Sequence, residues 1–145
     1  MTMLKLISPL LSPDLLAILA RMGHGDELVL ADGNFPAEAM ARRMVRADGH
    51  AIPPLLEAIT ALLPLDDFVP MPAAVMRVVD APEEAVPIWG VYERILRTQE
   101  GRPVSLERME RHAFYARAQN AFAVVATGET ALYANLILKK GVIRA

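Results

Sequence analysis

Met22-Gly23-His24-Gly25-Asp26-Glu27 sets an imidazole between two glycines, just past a helix-like segment and ahead of the apolar run Leu28-Val29-Leu30-Ala31. Glycine on both sides removes steric cover and lets the chain turn sharply. His24 is therefore presented to something. Imidazole titrates near neutrality and can both take and give a proton at cellular pH, so general acid/base chemistry is what this element suits. Asp32 stands at the far end of the apolar run, a carboxylate that either holds a ligand or caps the turn after it. The plain structural alternative is a helix stop at Gly23 with His24 as a polar loop residue.

The elements that must position these groups are legible in the pattern. Ser12-Pro13-Asp14 opens a helix: Ser12 caps it, Pro13 fits the first turn and Asp14 complements the dipole. Leu15, Leu16, Ile18, Leu19 and Met22 form its apolar face, and Gly23 ends it. Glu27 to Ala31 reads as a short buried strand, and Asp32-Gly33-Asn34-Phe35-Pro36 as a loop. A short helix over Ala37 to Arg43 and a strand over Met44 to Ala47 follow, closed by Asp48-Gly49. Pro53 to Leu63 is helical, with Leu55, Leu56, Ile59, Leu62 and Leu63 inward and Pro64 as its stop. Ala74 to Val79 reads as a strand, and Val86 to Thr98 and Arg111 to Asn120 as helices. Phe122 to Thr127 and Tyr133 to Lys139 are strands expected to pair as a hairpin, across a loop longer than the tightest type. Helices alternating with buried strands predict one layered α/β domain over residues 1–145, a central sheet flanked by helices.

Composition narrows the function classes. With 145 residues and 54% hydrophobic content, the mean hydropathy of +0.29 exceeds what a small domain can hide inside itself. A homo-oligomer is the expected outlet. The net charge of −2 and the lack of a basic tract argue against nucleic acid as a partner. With no cysteine there is no disulfide, thiolate nucleophile or Cys-based zinc site. His24, His50 and His112 with Asp32 do not fall into HxxxH or HExxH spacing, so no metal site is expected. The glycines form neither a phosphate loop nor a dinucleotide fingerprint. Ser8-Pro9 and Ser12-Pro13-Asp14 interrupt the apolar start Met1-Thr2-Met3-Leu4-Lys5-Leu6-Ile7, and no stretch approaches a membrane span. A cytoplasmic enzyme or binding protein is the simplest class.

Eight segments, in order, carry a resemblance that covers nearly the whole chain: Ser8-Pro9-Leu10-Leu11-Ser12-Pro13, Gly23-His24-Gly25-Asp26-Glu27, Phe35-Pro36, Arg46-Ala47-Asp48-Gly49, Phe114-Tyr115, Arg117-Ala118-Gln119, Thr127-Gly128-Glu129 and Leu138-Lys139-Lys140-Gly141-Val142. Together they resemble the L-fucose mutarotase family, relatives of D-ribose pyranase. The resemblance implies that family's α/β fold, a free monosaccharide as substrate, exchange between its cyclic forms, no metal or redox cofactor, and pentameric rings stacked as decamers. It implies His24 as the catalytic histidine, Asp32 as a sugar-binding aspartate and Arg111 as a sugar-contacting arginine. Tyr133 and Asn135 match the family's Tyr-Gly-Asn motif.

The residue chemistry agrees. Anomer exchange moves a proton off the anomeric hydroxyl and another onto the ring oxygen, and a group titrating at about 6.5, as free His does, suits both halves. A carboxylate such as Asp32 accepts two hydroxyls, Asn135 donates and accepts, Arg111 donates in a fixed fork, and Tyr133 offers a hydroxyl and a flat face. Tyr115 either lines the pocket or packs its helix. Phe35, Trp89 and Tyr115 are the candidate apolar wall for the methyl of a 6-deoxy sugar. Three departures bear on sugar preference more than on the reaction: Ala134 replaces the glycine of Tyr-Gly-Asn, Gly33-Asn34 follows Asp32, and His112 stands where relatives are often apolar. The competing readings are a ribose-type pyranose/furanose exchange and a non-catalytic sugar-binding accessory of a transport system, which would not need His24.

Overall fold

The computed structural model describes residues 3–145; Met1 and Thr2, the start of the expected apolar run, lie outside the described residues. Helix α1 (Pro13–Arg21) begins where its cap demands, with Ser12 accepting from the Leu15 N–H at 3.1 Å. It buries Leu15, Ile18 and Leu19. The remaining elements are β1 (Glu27–Ala31), α2 (Ala37–Met40), β2 (Met44–Ala47), α3 (Ile52–Thr60), β3 (Ala73–Met76), α4 (Pro87–Glu100), β4 (Leu106–Met109), α5 (Arg111–Gln119), β5 (Ala123–Thr127) and β6 (Leu136–Lys139).

The strands form one six-stranded sheet in the order β2-β5-β1-β6-β3-β4. Only β6 runs against its neighbours; β1 pairs parallel with β5 and antiparallel with β6. Alternation along each strand splits the apolar residues between two faces. Leu28, Leu30, Val125, Leu136 and Val75 share one core with side chains of α1, α3 and α4. Val29, Val124, Ile137 and Ala74 share the other with Phe114 and Ala118 of α5 and Ala37 of α2. A sheet covered on both faces explains strands that read as continuous apolar runs, and it bears out the expected α/β layering.

Five points differ from expectation. Residues 122–127 and 133–139 do not make a hairpin: β5 and β6 lie on opposite sides of β1. Contacts that continue past the β1 and β5 ends draw the chain away from a tight reversal. The Thr127 hydroxyl donates to the Ala31 carbonyl at 2.7 Å, and the Gly33 N–H donates to the Glu129 carbonyl at 2.8 Å. The last strand starts only at Leu136, because Tyr133 has φ +57 and breaks the extended run. Leu106–Met109 is an unforeseen edge strand; its half-charged Leu-Glu-Arg-Met pattern becomes a strand through parallel pairing with β3. The helix expected over 37–43 stops at Met40, whereas the one expected over 86–98 runs to Glu100 and ends at Gly101 with φ +71.

Candidate functional site

The parallel strands β1 and β3 end on the same side of the sheet, where ligands of α/β proteins collect, and β6 begins there. An open cavity of about 310 Å³ lies at that end of the strands. Asp32 follows β1, Asn135 precedes β6, Met76 ends β3, and Arg111 and Tyr115 come from the first turns of α5. Five of the six residues expected from the sequence, Asp32, Arg111, Tyr115, Tyr133 and Asn135, therefore line one cavity.

Asp32 and Asn135 are both buried and directly linked: the Asp32 N–H donates to Asn135 Oδ1 at 2.7 Å. That bond occupies the amide oxygen and orients the Asn135 NH2 group as the donor left for a ligand. Asp32 Oδ1 accepts the Asn34 N–H at 3.0 Å. Burial pushes the Asp32 carboxyl pKa up, and the charge of Glu129 adds to it, while the backbone N–H groups of Asn34, Ala134 and Phe35 pull the other way. A carboxylate held at such a cost is poised for a partner that brings hydroxyl donors. The Tyr133 hydroxyl accepts from the Val79 N–H at 3.2 Å, which leaves its own proton to donate.

Tyr115 belongs to the cavity wall and does more than pack its helix: its ring meets Phe35 at 5.8 Å in an edge-on arrangement. Trp89, expected in the same wall, lies elsewhere. It is buried on α4 in the core on the other face of the sheet from Phe35 and Tyr115, and its indole N–H donates to the Tyr133 carbonyl at 2.8 Å. Sequence reasoning missed Met76, Val79 and Leu132, which supply the rest of the apolar lining. They sit at a strand end and in loops, where periodicity carries no signal.

His24 stands apart. It precedes β1 whereas Asp32 follows it, and the strand between them spans roughly 13 Å at about 3.3 Å rise per residue. At that opposite end of the strand His24 Nε2 lies 3.1 Å from Asp66 Oδ1, its ring is tilted against Phe68 at 5.0 Å between centroids, and its side chain is 45% exposed. The strand end of β6 builds this setting. The Lys140 carbonyl accepts from the Gly25 N–H at 2.9 Å, the Lys139 carbonyl accepts from Asp66, and the Gly141 N–H donates to Pro64. Gly25 has φ +86, so of the two glycines beside His24 it is the one whose backbone requires glycine. Phe68, packed on His24 and 66% exposed, was not singled out in the sequence.

Of the residues weighed as scattered metal ligands, His24 and Asp32 lie at opposite ends of β1. Among the described residues no helix is long and apolar enough to cross a membrane.

Comparison with known proteins matches this arrangement to one group. Residues 5–143 match the model of the RbsD / FucU transport protein family. The chain is 56% identical to the fucose mutarotase of Homo sapiens, over 99% of this chain and 96% of that protein. It is 49% identical to the L-fucose mutarotase of Histophilus somni, covering 97% of each. The crystal structure of the fucose mutarotase of Streptococcus pneumoniae in complex with L-fucose superposes with a TM-score of 0.88 at 45% identity, covering 97% of this chain and all of that one. Bacillus subtilis RbsD complexed with D-ribose shares the fold, with a TM-score of 0.73 at 24% identity. With residues 5–143 matched by that family's model and about half its residues identical to fucose mutarotases, the chain belongs to the RbsD / FucU transport protein family, among the L-fucose mutarotases.

Proposed function

We propose that this protein is a sugar mutarotase that interconverts the α and β anomers of L-fucose or a closely related free sugar. The observation that carries the reading is the monosaccharide-sized cavity with Asp32, Arg111, Tyr133 and Asn135 around it, in a chain 56% identical to a fucose mutarotase. Asp32 accepts sugar hydroxyls, and the Asn135 NH2, the Arg111 guanidinium and the Tyr133 hydroxyl donate to sugar oxygens. Phe35, Tyr115, Met76 and Leu132 give an apolar side against which a 6-methyl group packs.

His24 acts as the acid/base in this reading. A proton leaves the anomeric hydroxyl, the bond from C1 to the ring oxygen breaks, and that oxygen takes up a proton. Closing by attack on the other face of the carbonyl reverses each transfer. The carboxylate of Asp66 only accepts, so it holds a hydrogen on Nε2 and turns the Nδ1 lone pair to the reacting hydroxyl.

Because His24 and Asp32 flank opposite ends of β1, one chain does not bring both to one sugar. The reading therefore includes a homo-oligomer in which His24 of one subunit completes the cavity of another. It is supported by large exposed apolar side chains at both places, Phe68 beside His24 and Leu132 at the cavity. Pentameric rings, stacked as decamers in the cytoplasm, are the assembly that the family resemblance implies, with residues 1–145 as one sugar-binding domain.

The test is NMR saturation transfer between the anomers of L-fucose, with and without chelator-treated protein. Accelerated exchange after EDTA supports the reading. Loss of rate with EDTA, restored by added metal, refutes the cofactor-independent mechanism. Binding with no exchange returns the protein to the non-catalytic accessory class.

A further inference from the structure

Tyr133 is an aromatic residue held at φ +57, a region that side-chain-bearing residues rarely enter. Such a conformation persists only where its surroundings over-determine it. Here the surroundings are two side chains of α4. The Trp89 indole N–H donates to the Tyr133 carbonyl at 2.8 Å, and the Tyr92 hydroxyl donates to the Ala134 carbonyl at 2.6 Å. Both donors are buried, Tyr92 completely. Burial and the neighbouring charges of Glu129 and Asp32 push the Tyr92 hydroxyl pKa well up, so it stays a donor throughout the working pH range. The Arg108 guanidinium lies over the Trp89 ring at 5.0 Å and fixes it from outside. The turn so clamped presents the Tyr133 hydroxyl and the Asn135 amide to the cavity and turns the Ala134 N–H to the Asp32 carboxylate.

We infer that Trp89 and Tyr92 are positioning residues for sugar binding, α4 acting as a rigid bar whose two hydrogen bonds hold the Tyr133-Ala134-Asn135 turn in its ligand-ready form. The inference rests on the sugar-site reading above. Neither side chain touches the sugar; each acts through a backbone carbonyl. Without the clamp, Tyr133 relaxes toward an extended backbone, its hydroxyl leaves Val79, and Asn135 loses its register with Asp32. Those groups hold the sugar in ground and transition state alike, so the loss falls on KM.

The experiment compares wild type with Trp89→Phe and Tyr92→Phe, the latter keeping the buried ring in place. Exchange of L-fucose is measured at several sugar concentrations, beside thermal unfolding. Each variant is expected to raise KM about 5- to 100-fold, the span of a lost buried hydrogen bond, and to change kcat no more than about threefold. Trp89 is also the chain's single tryptophan, so its indole N–H gives one NMR resonance. Saturating L-fucose is expected to shift that resonance in the wild type. Wild-type KM in both folded variants overturns the inference. Where a variant does not fold, the resonance decides, and its indifference to saturating sugar overturns the inference as well. Inactivity of the wild type on every free sugar tested is a distinct result that sinks the mutarotase reading itself.

Discussion

His24 Nε2 and Asp66 Oδ1 lie 3.1 Å apart across 42 residues of sequence, one side chain half exposed and the other buried. The same Asp66 oxygen also accepts the Phe68 N–H at 3.1 Å, so it is held from within its own loop while it holds the histidine. In the proposed reaction Asp66 is the orienting carboxylate behind His24.

Removing the imidazole is expected to lower the exchange rate steeply. His24→Ala should cost about 100- to 10,000-fold in kcat, the range of one general acid/base, with L-fucose still bound. Asp66→Asn leaves the ring present but misdirected, with a loss of up to about 100-fold. Saturation-transfer rates and calorimetric binding on the same samples check both. A His24→Ala variant as fast as wild type would remove the central assignment.

Mixed oligomers test the shared site. At sugar concentrations well below KM, His24→Ala and Asp32→Ala subunits are each expected to be nearly inactive alone. Unfolded together and refolded as hybrids, they should regain part of the wild-type rate, because some sites then pair an intact His24 with an intact Asp32. Hybrids no more active than the average of their parents would place both residues in one chain's site. Sedimentation showing only the 15.9 kDa monomer at micromolar concentration would refute the assembly as well.

Asp32 should trade stability for binding. Its carboxyl pKa is raised by burial, so the folded state holds that proton more tightly than the unfolded chain does. The group's contribution favours folding at low pH and is lost as pH rises through its folded value. At neutral pH the buried charge is a cost. Asp32→Asn removes that charge and keeps an oxygen for the Asn34 N–H, so denaturant unfolding at pH 7 should show greater stability, with the gain vanishing in acid. Sugar affinity should fall by about 10- to 100-fold, as charge-assisted hydrogen bonds are lost. A variant less stable than wild type at pH 7 contradicts this account.

Gly141 is where β6 meets the loop that carries Asp66. A Cβ there would lie 2.5 Å from the Leu65 carbonyl oxygen and 2.8 Å from the Asp66 Cα, both backbone atoms. Gly141→Ala is expected to destabilise the fold by about 1–3 kcal/mol and to displace Asp66 from His24. Urea unfolding measures the first effect, and the exchange rate of the folded fraction the second.

Sugar choice should be graded. Phe35 and Tyr115 stand in the cavity with Met76, Val79 and Leu132, so a 6-methyl group has an apolar wall even without Trp89. One methyl contact is worth roughly 1–3 kcal/mol, and L-fucose should therefore exceed D-ribose in kcat/KM without excluding it. Equal or reversed values in parallel assays would favour the pyranose/furanose reading.

Local chemistry determined much of this protein from the sequence by itself. Ser12-Pro13-Asp14 starts α1 where a cap, a ring-fixed φ and a dipole partner coincide, and buried apolar runs mark β1, β3 and β5. These signals act over a few residues, so they survive without knowledge of the fold. The polar residues around the cavity were legible through the family motifs that hold them. What lay beyond reach was every relation set by distant pairing. β6 settles on the far side of β1 from β5, Leu106–Met109 becomes a strand only because β3 runs beside it, and Asp66 reaches His24 through the end of β6. Trp89 reads as an exposed-wall candidate in sequence, yet it is a buried donor under Tyr133. Its role depends on which face of the sheet α4 covers. Packing of the two faces decides such relations, because one strand's register sends each side chain to one core or the other, and no local pattern carries that choice.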